Sequence, residues 1–214
     1  MLNSDYARLR ILDAAYDLFG KCGYAATTVR MIAGQADVSL SAIPYHFDNK
    51  DNLFQQVVQM ATDEFALYFE QIIQDVDVFM QQEHQDLDVA KQLLFKLANR
   101  HMDYVFDPQN DKQMRLFFQL RSSYDPSGDV KTPIHMSTTK PFVQLLEILR
   151  PELSHDEVTI LAYSIIGEQL FFFYHRPSVL AQLHLKEYTS HSQKRIRNVL
   201  MQRLKRELDG VGNN

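Results

Sequence analysis

An all-α fold follows from three features of this sequence. Its 214 residues include only seven glycines and seven prolines, few for a β-rich fold. No glycine lies between Gly34 and Gly128, a stretch that helices fill more easily than strands and turns do. Apolar residues recur at steps of three and four along most of the chain, which is the period of an amphipathic helix.

Each element can be placed in order. Residues 4–22 carry Ile11, Leu12, Ala15, Leu18 and Phe19 on one helical face, and Gly23 follows at the stop. Thr27 and Thr28 offer N-caps for a short second helix with Val29, Ile32 and Ala33, ending near Ala36 and Asp37. Ser39 caps a third. After a break at Asp48 and Asn49, the stripe Phe54, Val57, Ala61, Phe65, Tyr68, Ile72, Val76 and Phe79 predicts a helix of about 30 residues from Lys50. That is too long for a small N-terminal bundle alone, so the domain boundary is placed within or just before it. Further helices are expected near 88–106, 110–123, 130–149, 155–175 and 188–208, with a loop over 125–133 marked by Pro126, Ser127 and Gly128. The division expected is a helix-turn-helix domain at 1–50, a larger helical domain at 51–209 and a tail at 210–214.

Charge and cysteine content narrow the function. Residues 1–50 hold five basic and five acidic groups, residues 51–185 are net −9, and residues 186–214 are net +4. An acidic body does not suit non-specific coating of DNA, but it leaves room for a small reading head at the neutral N-terminus. One cysteine, Cys22, excludes an internal disulfide framework and any multi-thiolate zinc site. Eight histidines show no HExxH pattern, so neither a metal nor another cofactor is expected. No window of about 18 residues is free of charge, and no signal peptide is evident, so a cytoplasmic chain without a membrane span is expected.

Two short helices joined by a tight turn, after a longer helix, form the helix-turn-helix plan, in which the second short helix enters the major groove. Val29, Ile32, Ala33, Val38, Ile43 and Phe47 supply its core. Thr28, Arg30, Leu40, Ser41, Ala42, Tyr45 and His46 are left to face outward. A plain helical hairpin with solvated polar residues would show the same spacing.

The run from Thr27 to Phe54, with Ala33, Val38, Ser39, the Tyr45-His46-Phe47 triplet, Lys50 and Leu53, resembles the DNA-binding segment of the TetR family of transcriptional regulators. Ile43 to Phe47 and the stretch from Gly167 to Pro177 also resemble its CecR-like subgroup. The resemblance implies that Thr28 and Arg30 touch phosphate or base edges. It also implies that Leu40, Ser41, Ala42, Tyr45 and His46 form the reading surface, and that Lys50 meets a phosphate beside a helix N-terminus. Two positions depart from the family pattern. Asp37 stands where a glycine is usual in the turn, and Pro44 lies inside the reading helix, which must then be short, tightened or kinked at its start.

Between Val158 and Tyr174 the only charged residue is Glu168. Such a helix either is enclosed in the core or packs against a second subunit. The last helix, with Ile196, Leu200, Leu204 and Leu208, could join it in an intersubunit four-helix bundle, while Arg195, Arg197, Arg203, Lys205 and Arg206 form a solvated basic face. Family resemblance implies the dimer, and a ligand pocket in the larger domain lined by some of its aromatic residues: Phe117, Tyr163 and Phe171, with Arg121, Glu168 and His175 as polar partners. The expected function is a homodimeric, ligand-responsive, sequence-specific regulator, a repressor without catalytic activity, bound to a palindromic double-stranded DNA operator and to a small-molecule effector. The alternative is an all-α small-molecule carrier or enzyme in which residues 51–209 carry the activity.

Overall fold

The structure, a computed structural model, describes residues 2–122 and 133–209, with side chains over 5–120 and 138–209. The described residues form helices and no strand: α1 (Leu2–Ala26), α2 (Val29–Ala36), α3 (Ala42–Phe47), α4 (Lys50–Met80), α5 (Leu87–Phe106), a 3-10 turn at Pro108–Asn110, α6 (Asp111–Ser122), α7 (Pro133–Leu149), α8 (His155–Tyr174), α9 (Arg176–Gln182) and α10 (Ser190–Asp209). The fold is all-α. No helix among these residues is long and apolar enough to cross a membrane. The expected loop over 125–133 lies almost wholly outside the described residues, as do the C-terminal tail and the side chain of Arg121. Helix α9 is an addition to the helices expected from the sequence, and Pro177 lies in its first turn, where a proline forfeits no hydrogen bond.

The chain divides into two compact units, Met1–Leu67 with Gln109–Ile134, and Tyr68–Pro108 with His135–Asn214. In the first, α1 buries Ile11, Ala15 and Phe19 completely. Its helical run breaks at Gly23, whose φ of 76° is open to glycine at no steric cost. Gly20 lets α1 close on α6, since a Cβ there would lie 3.2 Å from the Lys112 carbonyl oxygen and 3.3 Å from the Leu116 nitrogen. Lys112 binds Asp13 at 2.5 Å across the same contact. Tyr16, buried beside Glu64, donates to that carboxylate at 3.3 Å, and burial with the nearby negative charge pushes its hydroxyl well above the ordinary phenol range.

In the second unit, Met102 and Phe106 of α5 pack with Ile196 of α10, and Phe172, Tyr188, Leu200 and Met201 surround them. A buried polar pair crosses from α5 to α8, where His101 Nδ1 donates to Gln169 Oε1 at 2.6 Å. Burial holds His101 down to about 4, against the opposing effect of the Gln169 bond, so the ring is neutral near pH 7. The basic face of α10 is only partly solvated. Arg197 binds Asn99 and Asp103 of α5, and Arg203 binds Glu168. Helix α8 is not enclosed in the core. It buries Val158, Ala162, Ile166 and Gln169, while Ile160, Tyr163 and Phe171 stay exposed.

Candidate nucleic-acid interface

The head is built on three junctions. At the first, Thr27 is fully buried and donates its hydroxyl to the Gly23 carbonyl at 2.7 Å, tying off the end of α1. Thr28 alone then caps α2, accepting from the Met31 amide at 3.2 Å. Its β-region backbone is that of an N-cap.

The second junction joins α2 to α3. Asp37 is left-handed, with φ 51° and ψ 55°. The Asp37 amide donates to the Gly34 carbonyl and the Val38 amide to the Ala33 carbonyl, which together make a Schellman motif with an aspartate in the place usually held by glycine. Arg10 of α1 supports it. One of its guanidinium nitrogens donates both to the Asp37 carbonyl and to its carboxylate, each at 2.9 Å.

Helix α3 has six residues. Pro44 is its third residue, where the amide would have no intrahelical acceptor, and the residue four back, Leu40, precedes the helix. The proline therefore costs no intrahelical hydrogen bond and crowds no carbonyl within the helix. Ile43 and Phe47 are 1% exposed and face the core, whereas Tyr45 is 78% exposed. Thr28, Arg30, Leu40 and Ser41 are exposed, and Ala42 and His46 are half-buried. Tyr45 meets His46 edge-on at 4.9 Å.

The third junction joins α3 to α4 within the first unit. Asp48 has φ 63° and ψ −54°, and the Asn49 amide donates to the Phe47 carbonyl at 2.7 Å. That is a γ-turn of the rare, strained hand. Asn49 then caps α4 through its side-chain oxygen, which accepts from the Asn52 amide at 2.8 Å. Lys50 turns back toward α1. Its ammonium donates to the Tyr24 and Thr27 carbonyls, both at 2.8 Å, and sits 4.0 Å from the Tyr24 ring centroid. Two of its three donors are thus held by backbone carbonyls, and the ammonium also faces the Tyr24 ring. Tyr24 also binds Asp51 and packs on Phe54, which meets Phe19 edge-on.

Sequence reading missed Arg10, Tyr24 and Asp51 as parts of the head. Their partners lie 27 residues away, and no local pattern signals such pairs. Of the residues assigned to a ligand pocket, Phe117 is buried in the first unit against Phe65. In the second unit, Glu168 is held by Arg203, and His175 is exposed and stacks on Phe171 at 4.4 Å. The cleft between α8 and α10 is about 40 Å³, far below the few hundred Å³ an organic effector fills. Among the described residues no group of three or more His, Cys, Asp or Glu could hold a metal ion.

Residues 11–57 match the model of the bacterial regulatory proteins of the tetR family. The biofilm operon icaADBC HTH-type negative transcriptional regulator IcaR of Staphylococcus aureus is 27% identical over 122 residues, covering 56% of this chain and 58% of that protein. The chain thus matches less than two thirds of that relative's length. The TetR family transcriptional regulator PfmR of Thermus thermophilus is 17% identical, with a TM-score of 0.59 over 96% of this chain and 97% of its own. A Saccharomonospora viridis protein solved in complex with choline is 18% identical, with a TM-score of 0.57 over 93% and 95%. At these identities the two solved structures agree with this one in fold. Over residues 11–57, its helix-turn-helix segment, the chain is thus similar to the tetR family of bacterial regulatory proteins.

Proposed function

We propose that the chain is a ligand-responsive, sequence-specific DNA-binding repressor that acts in the cytoplasm as a homodimer on a palindromic operator. The observation that carries this reading is α3 itself, which hides Ile43 and Phe47 and presents Tyr45 outward on a helix held at both ends. Residues 1–50 are the reading domain, and residues 51–209 bind the effector and the second subunit. Tyr45, His46, Leu40, Ser41 and Ala42 read base edges, while Thr28 and Arg30 contact phosphate or base edges. Lys50 meets a phosphate at the start of α4. A dimer reads two half-sites about 34 to 36 Å apart, so an effector acts by changing that separation.

The outer face of α8 is the proposed subunit contact, supported by the exposure of Ile160, Tyr163 and Phe171. The choline bound by the Saccharomonospora viridis protein supports a small organic effector as a class. In the second unit Glu168 and His175 are its proposed contacts, and an effector at Glu168 would compete with Arg203. The motifs Ile43 to Phe47 and Gly167 to Pro177 support the CecR-like subgroup within the family.

Selection from random duplexes tests the reading. The full chain should enrich one palindrome, and Tyr45→Ala should weaken binding to it by about 1 to 3 kcal/mol at fixed salt. Lys50→Ala should weaken binding to all duplexes alike. Equal affinity for the enriched and a scrambled duplex would refute sequence-specific reading.

A further inference from the structure

We infer that Arg10 is a positioning residue that makes an aspartate workable in the turn of the reading head, and that Arg10 and Asp37 act as one unit in presenting α3. This deepens the DNA-reading proposal and rests on it. The left-handed position of a Schellman motif goes to glycine because any Cβ crowds the following carbonyl there. Asp37 occupies it at φ 51° with both motif hydrogen bonds formed. An unsupported aspartate would drift from that conformation part of the time, and every residue of α3 would move with it. Arg10 opposes the drift in three ways. Its bond to the Asp37 carbonyl restrains ψ, and its bond to the carboxylate restrains the side chain. Its charge also lies at the C-terminal end of α2, where the helix dipole favours a cation.

The pairing further screens a carboxylate that is 94% exposed in the turn that leads into the proposed reading helix. The guanidinium fork suits the task, since it reaches a carbonyl and a carboxylate together in fixed geometry. Two elements distant in sequence are thereby coupled. The N-terminal part of α1, which carries no residue assigned to base reading, sets the orientation of the helix that does.

The test uses the full chain with Arg10→Ala, Arg10→Lys, Asp37→Gly and the double variant Arg10→Ala/Asp37→Gly. Two readouts are taken: amide hydrogen exchange at Asp37 and Val38 without DNA, and the ratio of affinities for the enriched duplex and a scrambled one at fixed salt. Charge changes act on both duplexes alike, so the ratio reports orientation rather than electrostatics. Arg10→Ala should speed exchange at both amides and lower the ratio, each by about fivefold or more, the size of the left-handed penalty. Asp37→Gly should leave both within about twofold, because glycine needs no support there. The double variant should match Asp37→Gly, and Arg10→Lys should fall between wild type and Arg10→Ala.

Unchanged exchange in Arg10→Ala would overturn the clasp. A double variant with the same loss of ratio as Arg10→Ala would overturn it as well, by showing that Arg10 touches DNA directly. A wild-type chain that enriches no duplex would instead overturn the DNA reading, and with it the positioning role. That failure is separately recognisable, because the exchange measurement needs no DNA.

Discussion

Helices α3 and α8 solve opposite problems. α3 has six residues, too few to be stable alone. It buries Ile43 and Phe47 and leaves its conformation to the junctions at its ends, where Asp37 and Asp48 both hold positive φ. α8 has 20 residues and an N-terminal capping box between Ser154 and Glu157. It needs no such support, yet it leaves Ile160, Tyr163 and Phe171 exposed. The contrast shows two ways a small protein can prepare a surface. One uses local polar contacts to orient a short element, and the other leaves a reserve of apolar area exposed on a long one. A single exposed apolar residue would mean little, but three on one helix that is otherwise nearly free of charge call for cover.

The largest expected effect tests that reserve. If the outer face of α8 is the subunit contact, Ile160→Glu places an unpaired carboxylate in it on each copy, at about 3 to 5 kcal/mol each. Sedimentation of wild type should give twice the 25.0 kDa chain mass. The variant should sediment as one chain with its helical circular dichroism retained. A monomeric wild type would leave α8 without a partner and end the comparison there. Next in size is Phe47→Ala. Phe47 is 1% exposed, under the guanidinium of Arg8 at 5.3 Å, and its truncation should destabilise the head by about 3 to 5 kcal/mol in urea unfolding. Phe171→Ala, on the exposed face of α8, should cost the isolated protomer little and act on dimer dissociation instead. Equal losses of protomer stability would erase the distinction between the two helices.

How much of this was legible differs between the regions in the same way. The head was readable because its core residues are local: Ile32, Ala33, Ile43 and Phe47 fall at helical spacing within one short segment, and all four are buried. The exposure of Tyr45 follows from the same spacing. The junction chemistry was not readable. Arg10 with Asp37, and Lys50 with the carbonyls of Tyr24 and Thr27, join residues 23 to 27 positions apart, and sequence alone gives no reason to pair them. In α8 the composition gave the apolar character and left open whether the helix was enclosed. That depends on how many neighbours surround it, which no residue of α8 encodes. Gln169 shows the limit clearly. It lies in an apolar run and is only 3% exposed, and its partner His101 explains why a polar side chain is tolerated there.

The His101 pair supplies the third prediction, which concerns the inner side of α8. In the folded chain burial holds His101 down to about 4, while an unfolded histidine titrates near 6.5. Between those values the unfolded chain binds a proton that the folded chain does not. Stability is therefore fully present above about pH 6.5 and falls as pH drops toward 4, by about 3 kcal/mol from this group. Urea midpoints measured from pH 7 to pH 4 should fall more steeply for wild type than for His101→Gln, whose amide can still donate to Gln169 and cannot titrate. Parallel curves for the two would show that His101 takes up its proton in the folded chain, and that the inner side of α8 is wetter than its burial indicates.

The smallest effect compares the two N-caps. Thr28→Ala removes the side-chain acceptor for the Met31 amide, and Ser154→Ala removes the one for Glu157. Each should cost about 1 kcal/mol. The consequences should differ in reach because the helices differ in length. α2 has eight residues, close to the minimum that tertiary packing can hold, so losing its cap should raise hydrogen exchange along the whole helix and into the turn at Asp37. α8 has 20 residues, and Val158, Ala162 and Ile166 anchor it beyond its first turn, so Ser154→Ala should speed exchange only near Asp156 to Val158. Exchange mapped by residue on both variants decides the matter. Fraying confined to the first turn in both helices would mean that α2 is held by packing as firmly as α8. In that case the polar junctions of the head would be orienting a helix that is already stable, rather than helping to form it.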